Sequence, residues 1–175
     1  MTFHQISTSR QLLMGLFLIC FTACGYRFSG SGRLPSHVER IVVHIFENRT
    51  SETGIENVFT NDLIDEFTRK NISALAEADS ADAYLSGVIR TISVETISHL
   101  DQYASLERRV TVTVDIKLIS KNGEVLKNFR GLSESEAFDV TQGQKFATEQ
   151  NQRNAMMSIS KRLSETIYKM LTDDF

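Results

Sequence analysis

Apolar and polar residues alternate one by one in the middle of the chain. The apolar positions are Val110, Val112, Val114, Ile116 and Leu118, and the polar positions beside them are Arg109, Thr111, Thr113, Asp115 and Lys117. A period of two residues is that of a β-strand with one buried and one solvated face. The Asn-Gly pair in Lys121-Asn122-Gly123 then favours a type I′ hairpin turn. We therefore expect a partner strand from about Glu124 to Phe138.

β-branched residues are also frequent from Ala83 to about Ile97, but here the alternation slips. Apolar residues fall first on one parity, at Leu85 and Ile89, and also on the other, at Val88, Ile92 and Val94. A β-bulge near Arg90 or Thr91 would restore a single buried face. Residues 83–138 thus predict a three-stranded antiparallel meander.

A strand and a helix are predicted before the meander. The run from Arg40 to Phe46 is apolar and β-branched, which indicates a buried strand. Its His44 is expected to be a half-buried strand residue rather than a metal ligand. Apolar side chains then recur at helical spacing and predict an amphipathic helix from about Gly54 to Lys70, with Ile55, Val58, Phe59, Leu63, Ile64 and Phe67 in the stripe. Thr53 and Glu56 fit a capping box at its start.

A second helix is predicted from about Gln144 to Leu171, with the apolar stripe Phe146, Met156, Ile159, Leu163, Ile167 and Met170. We interpret its polar run 149–154 as a solvated face rather than a surface resting on a polar partner. The order β-α-β-β-β-α predicts the α+β class, with a single four-stranded, mostly antiparallel sheet and two helices packed on one face. The other face, rich in threonine and charge, is left for water or a partner.

The start of the chain has the features of a bacterial lipoprotein signal peptide. Arg10 precedes an apolar run from Leu12 to Phe21, and the small residues Thr22 and Ala23 stand before Cys24. The run is too short for a membrane span, which needs about 20 apolar residues. We expect cleavage after residue 23 and acylation of Cys24, palmitate included, which anchors the chain to a membrane. Gly25, where an Asp would be the usual retention mark, indicates the outer membrane.

Three segments follow from this interpretation. Residues 1–23 are the signal peptide, residues 24–36 are the lipidated N-terminus and tether, and residues 37–175 are one α/β domain. Cys20 leaves with the signal, so no intramolecular disulfide is expected. The net charge of −3 disfavours nonspecific nucleic-acid binding, which depends on clustered Lys and Arg.

The sequence contains no pattern that indicates catalysis or metal binding. His37, His44 and His99 are separated and lack ligand spacing, and no Gly-x-Ser-x-Gly elbow occurs. We therefore expect a protein that is not an enzyme and that has no cofactor and no metal.

Several motifs resemble the LPS-assembly lipoprotein family LptE. They are Cys24-Gly25-Tyr26-Arg27-Phe28, Leu34-Pro35, Ile41-Val42-Val43, Phe46-Glu47-Asn48-Arg49-Thr50, Gly54-Ile55-Glu56 and Phe59-Thr60-Asn61-Asp62-Leu63. The resemblance implies the fold predicted above, placed inside the lumen of a large outer-membrane β-barrel, the LPS translocon LptD, as a plug and assembly partner. It also implies contact with lipopolysaccharide and no enzymatic activity. The implied location is the outer membrane, facing the periplasm or the barrel lumen.

Basic residues on or beside the meander are candidates for contact with the phosphates of lipopolysaccharide. They are Arg90, Arg108, Arg109, Lys117, Lys121 and Lys127. Arg and Lys recognise phosphates through charge-assisted hydrogen bonds, although a solvated strand edge would carry the same residues. A second functional class remains open, namely an outer-membrane lipoprotein that acts as a periplasmic scaffold or as a regulator of a cell-wall synthase.

Overall fold

The computed structural model describes residues 34–98, apart from Ser36, and residues 106–172. The predicted signal peptide, the predicted acylation site Cys24, the predicted tether up to residue 33 and His99 lie outside the described residues.

Within the described residues, the fold consists of one open mixed sheet and two α-helices. The strands are β1 (Ile41–Val43), β2 (Glu47–Asn48), β3 (Ala83–Ser98), β4 (Leu106–Ser120) and β5 (Val125–Val140), and the helices are α1 (Ile55–Asn71) and α2 (Lys145–Thr172). The strand order is β1-β3-β4-β5, and β2 also pairs with β3. The pairs β3–β4 and β4–β5 are antiparallel, whereas β1 and β2 run parallel to β3. The predicted α+β class, with a mostly antiparallel sheet, is confirmed.

The first predicted strand, 40–46, is two short strands instead of one. Val43 pairs with Leu85 and Glu47 with Val88, so the chain takes four steps where β3 takes three. The extra residue interrupts the ladder, and His44 and Ile45 become exposed while Phe46 turns into the core. The expectation that His44 is half-buried within a strand is therefore wrong. Its ring contacts Tyr84 instead, with 5.4 Å between the ring centroids.

The predicted bulge in β3 is confirmed at Arg90. Ile89 pairs with Val114 and Thr91 with Thr113, which leaves Arg90 without a cross-strand partner. After the bulge, Ile92 and Val94 lie opposite the buried residues Val112 and Val110. The apolar residues on both sides of the slip therefore share one face of the sheet.

The core lies between this face and the helices. The five apolar residues of β4 are fully buried. The central members of both helical stripes are also buried, namely Ile55, Phe59, Leu63, Phe67, Met156, Ile159, Leu163 and Ile167. Phe146 is the exception, because its side chain is 80% exposed and the prediction that it belongs to the stripe is wrong. The buried part of α2 begins only at Ala155, so the first turns of this helix have no core to contact. The polar run 149–154 there is mostly exposed.

Two local predictions are also wrong. The residue before α1 is Gly54, with φ +85°, and no side chain caps the helix; Glu56 accepts a hydrogen bond from Asn48 Nδ2 (2.9 Å) instead of closing a capping box. In the β4–β5 hairpin only Gly123 has a positive φ, whereas a type I′ turn requires two. The loop is a three-residue one, in which Gly123 N donates to Ser120 O (2.9 Å) and Ser120 N to Glu124 O (2.8 Å).

Candidate functional site

The face of the sheet opposite the helices carries two rows of hydroxyl groups that cross three strands. The strand register aligns Thr91 with Thr113 and Ser133 in one row, and Ser93 with Thr111 and Ser135 in the next. Thr111 Oγ1 and Ser135 Oγ are 2.9 Å apart, and Thr113 Oγ1 donates to Ser133 Oγ at 3.3 Å. We call these six residues the hydroxyl platform.

Ion pairs border the hydroxyl platform on both sides. Arg109 Nη1 lies 3.4 Å from Glu95 Oε1 in the adjacent row, and Arg90 Nε lies 3.6 Å from Asp115 Oδ2 on the other side. Asp115 also accepts a hydrogen bond from Gly131 N (2.9 Å). Exposed pairs of this kind add about 0–1 kcal/mol each to stability. Their main effect is that the border of the platform is close to electrically neutral.

A third pair, Arg49 with Glu47, lies beside the start of β2 at 2.8 Å. The hydrogen bond from Arg49 lowers the pKa of the Glu47 carboxyl and raises the pKa of the Arg49 guanidinium. Both groups therefore remain charged over a wider pH range than in water.

The six basic residues predicted to contact lipopolysaccharide do not form one cluster. Arg90, Arg109 and Lys117 belong to the polar face, and the first two are paired with carboxylates. Arg108 follows the parity of Val110 and lies opposite the buried Phe138, so it is on the other face of β4.

The remaining two candidates lie near the β4–β5 hairpin. Lys121 is in the hairpin loop, where its Nζ donates to Asp79 O at 3.3 Å. Lys127 lies opposite Leu118, next to an irregularity in the register of β5. Among the described residues, Arg108, Lys117, Lys121 and Lys127 form no ion pair with a carboxylate, so these four keep a free cationic group.

The segment that carries much of the family resemblance has a structural role. Phe46 N donates to Thr60 Oγ1 at 3.0 Å in a buried position, and Thr60 Oγ1 donates to Glu56 O at 2.7 Å. Asn48 Nδ2 donates to both Glu52 O (2.8 Å) and Glu56 Oε2. These bonds fasten β2 and its loop to the first turns of α1. The sequence analysis missed these partners, because the donors and acceptors are 4 to 14 residues apart.

Polar groups also lie between the two helices. Glu66 is 2% exposed and forms an ion pair with Arg69, and Phe67 packs edge-on against Tyr168 with centroids 4.9 Å apart. Burial raises the pKa of Tyr168, and the nearby charge of Glu66 raises it further. In the sequence, Asp65-Glu66 indicates two charges on the helix surface, and for Glu66 this expectation is wrong because its side chain is buried.

The described part of the chain contains neither a candidate metal site nor a helix that could span a membrane. Within residues 34–98 and 106–172, no three His, Cys, Asp or Glu side chains come together as a metal site. Neither α1 nor α2 combines the length and the apolar character that a membrane span requires.

Comparisons with known proteins agree with the fold. Lipoprotein B from Nitrosomonas europaea, known from a solution NMR structure, is 15% identical with a TM-score of 0.55, and the match covers 85% of this chain and 90% of that one. The rare lipoprotein B from Shewanella oneidensis is 12% identical with a TM-score of 0.47, covering 75% and 92% of the two chains. At 15% identity, the Nitrosomonas match indicates a shared fold only. No curated protein sequence matches the chain significantly.

A family model gives the assignment that the structures alone do not. The model for LptE, described as lipopolysaccharide-assembly, matches residues 38–171, which is most of the chain and nearly all of the described domain. The match includes the loop fastened to α1, the hydroxyl platform and both helices. The chain therefore belongs to the LptE family, whose role is lipopolysaccharide assembly.

Proposed function

We propose that the mature chain is an outer-membrane lipoprotein that plugs an LptD-like β-barrel and assists its assembly. In this role it contributes to the transport of lipopolysaccharide to the outer membrane and its insertion there, and it turns over no substrate. Family membership supports the process, and the lipoprotein-type signal sequence before Cys24 supports the anchor. The hydroxyl platform is the observation that supports a barrel as the partner.

The hydroxyl platform suits the polar inner wall of a barrel because its groups lose their water at low cost. Interiors of large outer-membrane barrels are polar, so a plug needs a surface that exchanges water for other polar groups. Hydroxyl groups are donors and acceptors at once, and their desolvation costs much less than that of an unpaired charge. The bordering charges are already paired, at Arg109–Glu95 and Arg90–Asp115. Both helices pack on the other face, which leaves the platform open.

Contact with lipopolysaccharide is a second part of the proposal. The free cations of Arg108, Lys117, Lys121 and Lys127 are available for phosphate groups, whereas Arg90 and Arg109 would exchange a carboxylate for a phosphate. The bonds to carboxylate and to phosphate are both charge-assisted, so such an exchange is favoured only where the phosphate approaches closely. The wide distribution of the six residues supports several weak contacts rather than one pocket.

Anchoring through Cys24 is the third part, with residues 1–23 as signal peptide, 24–36 as lipidated tether and 37–175 as the domain. Mass spectrometry of wild type and Cys24→Ala, made in a bacterial host, tests it. We expect the acyl mass and the membrane association in wild type only. Equal mass shifts and equal membrane association in both proteins would contradict the assignment.

Affinity purification from detergent-solubilised outer membranes tests the partner. We expect wild type to recover a heat-resistant, high-mass β-barrel. Thr111→Lys combined with Thr113→Lys should recover less of it, because two unpaired charges would enter the interface, while Ser158→Lys on the exposed side of α2 should recover as much as wild type. Recovery of no β-barrel would contradict the proposal. Recovery of a cell-wall synthase in its place would support the scaffold or regulator function.

A further inference from the structure

The second half of β3 has a free edge. β1 and β2 pair with β3 only as far as Ile89, and the last backbone bond on that side is from Arg49 N to Ile89 O, at 3.0 Å. Beyond the bulge, residues 91–97 pair with β4 on one side and, among the described residues, with nothing on the other. We call residues 91–97 the free edge.

The backbone groups that the free edge presents can be identified from the register. Leu85 O and Ile89 O point away from β4, because they accept bonds from His44 N and Arg49 N. In an antiparallel ladder, the backbone groups of successive residues point alternately to one side and the other. The extra residue in the bulge reverses this order, so the N–H and C=O groups of Ile92, Val94 and Thr96 point outward. Ser93 and Glu95 bond to β4 instead. The free edge therefore offers three donors and three acceptors to an incoming strand.

The other edge of the sheet is protected. On β5, Arg162 Nη2 donates to Ser135 O (3.0 Å) and Asn151 Nδ2 donates to Asp139 O (2.9 Å), so side chains of α2 occupy two of the outward carbonyls. Charged residues are also frequent along β5. The free edge of β3 carries Glu95 as its one charged residue and contains no Pro, Gly or Lys. It thus lacks the proline and lysine residues that often prevent a strand from being added.

Side chains of the free edge also favour an incoming strand. Val94 is 42% exposed although it lies on the helix-facing side of the sheet, opposite Val110. A strand paired here would place its own alternate side chains beside Ile92 and Val94 and remove that apolar surface from water. On the polar side, a basic or uncharged side chain fits beside Glu95. This is the geometry of β-augmentation, in which an extended segment adds a strand to a sheet.

We propose that the free edge receives an extended segment, from a terminus or loop, of the outer-membrane partner. The inference rests on the proposed function. The barrel wall itself does not qualify, because a closed barrel has no unpaired strand.

A second copy of this chain is a weaker candidate. Two free edges would exchange about six backbone bonds, which at one bond per 100–200 Å² corresponds to about 600–1,200 Å², below the ~1,600 Å² of a stable interface. A segment of a partner already held on the hydroxyl platform needs less contact area, because it is present at a high effective concentration.

Amide hydrogen exchange at residue resolution tests the proposal with the full-length lipoprotein, alone and in the purified complex with its barrel. In the free protein the amides of Ile92, Val94 and Thr96 should exchange quickly, whereas those of Ser93 and Glu95 should already be protected. In the complex we expect exchange at the three outward amides to slow by at least about tenfold, with Ser93 and Glu95 unchanged. An intact complex without this slowing would overturn the inference and leave the proposed function standing. Failure to form any barrel complex would overturn both.

Protection of the outward amides in the free protein would also overturn the inference. Protection that depends on protein concentration would identify a second copy as the occupant. Protection that does not would identify another segment of this chain. Val94→Pro adds a direct test, because it removes an outward donor without removing a bond to β4. It should abolish the slowing at Ile92 and Thr96, while Val94→Thr, which keeps the donor, should preserve it. Equal slowing in the two variants would count against strand addition.

Discussion

The aromatic ring of Phe46 lies against the backbone of Gly87, in the space that a side chain at position 87 would occupy. Gly87 is opposite Ile116 on the helix-facing side of the sheet, and Phe46 is buried. A glycine inside a strand weakens it, so a close approach of this kind explains its position. The contact also sets where the chain crosses from β1 to β2.

Gly87→Ala should therefore destabilise the domain. Its Cβ would overlap the Phe46 ring, and overpacking of this kind costs about 1–3 kcal/mol in the free energy of unfolding, measurable by denaturant titration. Phe46→Leu in the same protein should recover part of the loss, because the smaller side chain leaves room. Ser86→Ala, at the neighbouring position, is the control and should change little. A strictly additive double mutant would show that the two residues do not interact.

Thr60 should be important through its buried hydroxyl. Thr60→Val leaves Phe46 N without its acceptor, which costs about 1–3 kcal/mol. Thr68→Val is a matched control on the same helix, since Thr68 Oγ1 donates to Ile64 O (2.8 Å) in the same way but is exposed. Thr60→Ser should keep most of the stability. Equal losses for Thr60→Val and Thr68→Val in thermal unfolding would contradict the role of the Phe46 bond.

Asp82 should make the stability depend on pH. Its carboxylate accepts hydrogen bonds from Arg40 N (2.9 Å) and Glu39 N (3.1 Å), which hold the pKa of Asp82 below its usual value. A lowered folded-state pKa means that the stabilisation is complete above the unfolded-state pKa and is lost as the pH falls through the folded-state pKa.

Asp82→Asn should accordingly lower the free energy of unfolding at pH 7, and its difference from wild type should shrink towards about pH 2 as the wild-type carboxyl becomes protonated. Asp79→Asn, at an exposed position nearby, should show no such difference. Denaturant titrations at the two pH values give the answer. A constant gap between wild type and Asp82→Asn at both values would indicate that the charge of Asp82 is irrelevant.

The two faces of β4 should respond oppositely to a new carboxylate. Val114→Asp would bury an unpaired charge at a fully buried position, and we expect the domain to unfold. Thr113→Asp lies on the polar face and should change stability by less than about 1 kcal/mol. Circular dichroism during denaturant titration ranks the two. The reverse ranking would mean that the faces are assigned wrongly.

Lipopolysaccharide binding should depend on Arg108 and Arg109, which project from opposite faces of β4. The combined Arg108→Ala and Arg109→Ala variant should bind lipopolysaccharide more weakly while keeping its fold and its barrel partner. Binding should also weaken at high ionic strength, because exposed charges are screened. Lys161→Ala with Lys169→Ala changes the net charge equally on exposed positions of α2. Equal losses of binding in the two double variants would show that only the net charge matters and not the positions of Arg108 and Arg109.

Much of the fold follows from local periodicity in the sequence. Alternation in β4 determines which of its residues are buried, and the slip between Ile89 and Ile92 locates the bulge at Arg90, because the side-chain period of a strand is two and one added residue reverses it. Helical spacing likewise determines the buried stripes of α1 and α2. The membership in the LptE family was also accessible from the motifs of residues 24–63.

Other features were decided only by tertiary structure, because they depend on partners that are distant in the sequence. The space over Gly87 interrupts the first strand at Phe46, and the absence of a core beside the first turns of α2 leaves Phe146 exposed. Carboxylates on neighbouring strands neutralise Arg90 and Arg109, which the sequence presents as free cations. Among the described residues, β3 has a free edge because its pairing with β2 ends at Ile89, and no local pattern in 91–97 indicates where a neighbouring strand stops.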